Sequence, residues 1–192
     1  MDDIVKAALR KWPDVPAARG WLGLDARGQW WLRDTATQAA GGFPQSRGSR
    51  IEHEPLCAFI GRNYLCDGAG AWFFQNGPQR VYVELEAAPW VWRIDDAFAL
   101  LSHTGAPAQW RGAWLDEDGR LFLDTDLGLG LVHSQDVHRA AQALEDGRWT
   151  LSGELRFEEL PARFNYRLSP AALVDRWEQA AHAPQPPRPP QG

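Results

Sequence analysis

Cysteine is scarce in this sequence: Cys57 and Cys66 are the only two in 192 residues. Two thiols cannot build a disulfide framework, and their spacing fits no zinc pattern. Cys57 falls in an apolar run with Leu56, Phe59 and Ile60, where a buried, inert thiol is expected. Long hydrophobic stretches are also missing, and none approaches the roughly 20 apolar residues that cross a bilayer. The opening MDDIVKAALRKW begins with acids and has no apolar core of a signal peptide, so a soluble, cytoplasmic protein is expected. Positive charge is in deficit: 20 Lys and Arg face 25 Asp and Glu, giving a formal net charge of -5 and a pI near 5.5. That balance argues against nucleic acid and against an anionic membrane surface as partners.

Catalytic signatures are absent too. No pair of histidines has the i, i+4 spacing or H-E-x-x-H pattern of a helical zinc site, so no metal is expected. The acids Asp116, Glu117 and Asp118 do not make a calcium loop, because Gly119 comes fourth rather than sixth and no loop-closing glutamate follows. Gly128 and Gly130 lack the rest of a dinucleotide fingerprint and of a phosphate loop, and no G-x-S-x-G elbow occurs. No catalytic residue and no cofactor is assigned, and a binding role is expected ahead of an enzymatic one.

What is present is an ordinary globular composition, 44% hydrophobic and 23% charged, with 11 tryptophans against 3 tyrosines. Tryptophan supplies large buried area with one N–H to satisfy, so most should lie in a β-rich core, with a few free to line a groove.

Along the chain, residues 2–12 read as a helix with Asp2 or Asp3 as cap, an apolar face of Ile4, Val5, Ala8 and Leu9, and a stop at Trp12–Pro13. Then the sequence repeats an order of features. GWLGLDARGQWWLRD (20–34) aligns with GAWLDEDGRLFLDTD (112–126), each a hairpin about a D-x-x-G turn, where Asp bonds the backbone two residues on and Gly takes a positive φ. A short amphipathic helix follows each. The first has Pro55 at its start and Leu56, Phe59, Ile60 and Tyr64 on one side. The second is capped by Ser134, with Val137, Ala140, Ala141 and Leu144 on one side. Acid–glycine turns then lead into DGAGAWFFQ (67–75) and EDGRWTLSG (145–153). VYVELEAAPWVWRID (81–95) matches LRFEELPARFNYRLS (155–169) as strand, corner, strand. In the first, Val81, Val83 and Leu85 oppose Tyr82, Glu84 and Glu86.

The expected fold class is therefore α+β: two similar strand–helix–strand units from an internal duplication, with antiparallel curled sheets, each packed on a helix, and flanking terminal helices. The first unit is 1–104, closed by strand AFALLSHT (97–104); the second is 105–182, with the junction in 105–111. Ser169–Pro170 should start a last helix carrying Leu173, Val174 and Trp177, and 183–192 is a proline-rich tail expected to be disordered.

The hairpin QNGPQRVYVELE (75–86) stands out, because a tight Asn76–Gly77 turn does not need Gln75, Gln79 and Arg80 beside it. These side chains offer amides and a guanidinium suited to a planar, anionic or nucleobase-like ligand. Arg62 and Asn63 close the first helix, and His103 ends a strand near the junction. F-I-x-R-N-Y (59–64) and W-x-F-Q-N-G-P-Q-R-V-Y-V-x-L-E (72–86) resemble an uncharacterised bacterial family, a domain of unknown function, over roughly residues 1–135. The order of elements is similar to that of a second uncharacterised family with duplicated domains and a pleckstrin-homology-like second half. That likeness implies a nucleotide-type ligand at the domain interface.

The expected function is a ligand-binding or regulatory module, with signalling as its expected setting. A nucleotide-like or small anionic ligand would sit between the units against Gln75, Asn76, Gln79, Arg80, Arg62, Asn63 and His103, with Trp90 or Trp92 as a stacking wall. A second reading is a protein–protein interaction module using exposed tryptophans or the proline-rich tail, and a third is a small enzyme whose groups meet only in space. Nothing in the sequence indicates the oligomeric state.

Overall fold

The computed structural model describes residues 1–172. Its organisation follows from one turn chemistry used five times. At 25–28, 67–70, 95–98, 102–105 and 116–119, an Asp or Ser side-chain oxygen accepts N–H bonds from the residues two and four places on. In each, the fourth residue is left-handed: Gly28, Gly70, Gly105 and Gly119, but Phe98 in the third. This is a tight turn followed by a one-residue bulge, whose twist suits a hairpin. Each turn joins or leads into strands that the alternation of the sequence supplies.

Helix α1 is Asp3–Lys11. Strands β1 (Ala18–Leu24) and β2 (Trp30–Leu32) form the first expected hairpin. Helix α2 (Thr35–Ala40), capped by Asp34, leads to β3 (Ser49–Arg50) and α3 (Glu54–Arg62). Next come β4 (Tyr64–Cys66), β5 (Trp72–Asn76) and β6 (Gln79–Leu85). They make a six-stranded sheet ordered β3-β2-β1-β6-β5-β4. The remaining strands are β7 (Trp90–Ile94), β8 (Leu100–Ser102), β9 (Pro107–Ala108), β10 (Trp110–Leu115), β11 (Leu121–Thr125), β12 (Gly128–Val132) and β13 (Leu151–Glu154). Helix α4 (Val137–Glu145) precedes β13. The second sheet has seven strands, ordered β13-β10-β11-β12-β7-β8-β9.

The protein is α+β, as expected, and the order β3-β2-β1-β6 recurs as β12-β11-β10-β13, with a helix after the third strand each time. Three expectations fail. The sheets are mixed rather than antiparallel, because β1 and β6, β10 and β13, and β12 and β7 pair in parallel. Segment 97–104 does not close the first sheet: β8 pairs with β7 in the second. Residues 155–169 contain no strand pair. A 3-10 turn (Phe157–Glu159) runs into α5 (Leu160–Arg163), since Glu159 accepts from the Arg156 N–H, Pro161 suits a helix start and Leu160 is fully buried.

One core serves both sheets. Leu22, Leu24, Val83 and Leu85 from the first join Trp92, Phe122, Leu123 and Leu131 from the second. The two faces of β6 divide as the alternation predicts, with Val83 and Leu85 in this core and Tyr82 in a satellite with Ala71 and Phe73. Most described tryptophans are buried or half-buried, with Trp12 and Trp21 the exposed ones among the described residues. Ser169 Oγ accepts from the Ala172 N–H, as a cap should, whereas Leu173, Val174, Trp177 and the tail 183–192 lie outside the described residues. No described helix is long and apolar enough to cross a membrane.

Candidate functional site

The site residues expected from the sequence separate into two groups. Six of them lie around α3, β5 and β6, and three of these, Arg62, Asn63 and Gln79, fasten the N-terminal segment. Asn63, fully buried, accepts the Asp2 N–H at 2.8 Å and donates to the Phe59 carbonyl at 2.9 Å. Arg62 pairs with the Asp2 carboxylate at 3.2 Å and holds that carboxyl below its usual range. Asp2 therefore ties α1 to α3, and makes no side-chain cap to its own helix. Gln75, also buried, donates to the Gly77 carbonyl at 3.0 Å and braces its own turn. Gln79 donates to the Pro16 carbonyl at 3.1 Å, and Arg80 lies over the Phe73 ring. Asn76 is exposed at the end of β5, beside a turn that faces Ala8 of α1. None of the six lines either cleft at the join between the sheets.

The other three go to that join. Trp30 and Tyr64 from the first sheet and its edge meet Trp90 and His103 from the second, with ring centroids 5.3 to 5.9 Å apart. Trp72 lies edge-on to Trp90 at 5.0 Å. Trp90 donates to the Leu127 carbonyl and Trp92 to the Leu123 carbonyl. Trp92 has no exposed surface, so it offers no stacking face. The crevice is filled by an aromatic cluster, because both sheets contribute to a single core.

His103 sits inside this cluster. Its Nδ1 accepts from the Val91 N–H at 3.3 Å, which places the proton of the neutral ring on Nε2. Nε2 is buried and has no acceptor. Loss of hydration lowers the imidazole pKa from 6.5 to about 3, so it is neutral throughout the physiological range.

Two clefts open on either side of the contact between Gly28 and His103. The larger, about 570 Å³, includes Gln29, Arg50, Glu52, Glu54, Cys57 and Thr104 in its walls. Arg50 and Glu52 pair with each other. The Cys57 thiol donates to the Ile51 carbonyl and is pushed up in pKa by burial, which makes it a poor nucleophile. The smaller cleft, about 460 Å³, is walled by Arg27, Arg93 and His133, together with His103 and Leu101.

Charge in the smaller cleft is set by a few contacts. Asp25 is buried and holds the turn that carries Arg27, accepting from the Arg27 and Gln29 N–H groups and from the Trp31 indole. The Arg27 guanidinium has no hydrogen bond or ion pair among the described residues. Asp136, buried, receives Arg93 at 2.5 Å and Arg139 at 2.9 Å. Burial opposes ionisation of Asp136, but the Arg93 hydrogen bond, the Ile94 N–H and the charges of Arg93 and Arg139 together outweigh it, and the carboxyl is held below its usual range. His133 has Nδ1 bonded by the Gln135 N–H. Burial and Arg93, with a further push from Arg27, depress its pKa against the opposing pull of Asp136 and Asp25. Two guanidinium groups and a neutral imidazole thus face one space. No group of three or more metal-ligating side chains occurs among the described residues.

Residues 1–177 match the family DUF2944, whose description is "Protein of unknown function (DUF2946)". The chain belongs to that family. The expectation of an uncharacterised domain family is thereby met. No curated protein matches the chain. Among solved structures it is similar to a DUF1285 family protein from Shewanella baltica OS155, with 14% sequence identity and a TM-score of 0.44. That alignment covers 64% of this chain and 91% of the other.

Arg27, Arg93 and His133 escaped the reading of the sequence. Arg27 lies inside the D-x-x-G turn that the sequence does identify, and a cation on a rigid hairpin tip was the available signal. Arg93 alternates with the buried Trp92 and Ile94 along β7, which marks it as outward-facing. His133 and Arg27 come together only through the meeting of two sheets.

Proposed function

We propose that this protein is a binding module for a small anionic ligand, held in the smaller cleft where the two sheets join. The supporting observation is Arg27, an unpaired guanidinium on a rigid turn that shares a cleft with Arg93 and His133. Arginine forks suit carboxylate or phosphate oxygens, and an imidazole N–H adds a neutral donor. The reading keeps the ligand class and the position between the sheets expected from the sequence, and exchanges the 62–80 residues for others. The recurring strand order supports an internal duplication as the origin of the two sheets. Free Cys57 and Cys66 suit a reducing, cytoplasmic setting.

The test is a titration of inorganic phosphate, adenosine monophosphate and succinate, followed by melting temperature and tryptophan fluorescence. A saturable rise in melting temperature that Arg27→Ala removes supports the reading. Melting temperatures unmoved by all three anions in the folded parent would refute it.

A further inference from the structure

The turn between β7 and β8 breaks a rule that the rest of the molecule keeps. Its left-handed position is Phe98, with φ of 64°, where the four equivalent turns have glycine. A bulky side chain in this conformation is strained by about 1 kcal/mol or more, and such strain is retained where the side chain is needed.

The Phe98 side chain helps to wall a cavity of about 410 Å³ at the β9 end of the second sheet. Trp110 and Trp149 also line it, with planes 10° apart and centroids separated by 6.3 Å. Arg148 lies over the Phe98 ring at 4.7 Å, its only ion-pair partner among the described residues being Asp146 at 3.8 Å. The indole N–H of Trp110 is buried without an acceptor. No described carboxylate lines the space. Flat apolar walls, a guanidinium and no acidic side chain complement a flat molecule with negative charge.

We propose that this cavity is a second binding site, separate from the cleft at Arg27, for a small planar aromatic carboxylate. The rings of Trp110, Trp149 and Phe98 enclose the ligand's apolar part, and Arg148 swings from Phe98 to pair with its carboxylate. The site stands apart from the anion cleft, with which it shares no lining residue.

The test uses the full chain with 2-naphthoate as probe and 2-naphthylmethylammonium as its cationic counterpart. Naphthoate is expected to raise the melting temperature saturably and to quench tryptophan fluorescence, while the ammonium compound does neither. Arg148 is exposed, so Arg148→Met should fold normally and bind naphthoate about tenfold more weakly, the loss of one charge-assisted contact. Phe98→Gly should lose the naphthoate response while keeping a cooperative melt, and Arg27→Ala should retain it. The proposal is overturned if naphthoate produces no saturable shift, if Arg148→Met binds it as tightly as the parent, or if Arg27→Ala abolishes the response.

Discussion

Gly28 and His103 touch across the join between the two sheets, so closely that a Cβ at Gly28 would lie 2.5 Å from the His103 Cβ. Both residues belong to the same kind of turn, one from each sheet, and the contact separates the two clefts. Gly28 also has φ of 77°. Gly28→Ala therefore combines backbone strain with a collision between elements that cannot both stay in place. We expect a loss of about 2–4 kcal/mol in urea unfolding, above the ordinary cost of a left-handed alanine. The equivalent Gly119→Ala meets open space and should cost only about 1 kcal/mol.

His103 makes stability sensitive to acid. Its folded pKa, about 3, lies below the 6.5 of a hydrated imidazole, so the unfolded chain takes up the proton first. The contribution is complete above pH 6.5 and is lost progressively as pH falls from there toward 3. Its slope approaches about 1.4 kcal/mol per pH unit. His133 is depressed in the same direction and adds to the slope. Urea midpoints measured between pH 7.5 and 5 should fall with acid, and His103→Gln should flatten the curve. An unchanged slope in that variant would mean that the His103 imidazole charges inside the fold.

Arg33 is a buried cation held by the backbone. It donates to the carbonyls of Gly20, Gly41 and Ser46 and so fixes the connection between β2 and β3. Arg33→Met would leave those carbonyls without donors, and about 3 kcal/mol or more should be lost. Lysine presents a single ammonium and should not rescue it. Limited proteolysis between residues 34 and 48 would report the loosening directly.

Legibility in the sequence tracked how local each interaction is. The D-x-x-G turns were readable because the bonds of Asp25 and Asp116 that close them go to N–H groups two and four places on. Helices α1, α3 and α4 were readable from apolar spacing, though Ile4 and Val137 turned out exposed. Parallel partners were not readable: Leu22 meets Val83 and Val91 meets Leu131, and neither strand carries a local mark of its neighbour. In the site, one ambiguity governed the choice of residues. Asn63, Gln75 and Gln79 are polar side chains in an apolar context, and such residues serve backbone groups as readily as ligands. Their partners, the Asp2 N–H and the carbonyls of Gly77 and Pro16, show that here they do the former.

That distinction can be measured at Asn63. Asn63 joins the first residues of the chain to the end of α3 through the Asp2 N–H, and Arg62 supports the same link from outside. Removing the amide leaves a part-buried N–H and a part-buried carbonyl without their partner, so Asn63→Ala should lose about 1–3 kcal/mol. Because the link holds α1, the loss should appear first as faster hydrogen exchange at the amides of α1, with the amides of β11 and β12 unchanged. A ligand residue would behave differently: its removal would weaken the response to phosphate or adenosine monophosphate and leave α1 protected. Asn63→Ala should loosen α1 and leave anion titrations as they are in the parent. The opposite pattern would return the 62–80 cluster to the binding site and remove Arg27 from its centre.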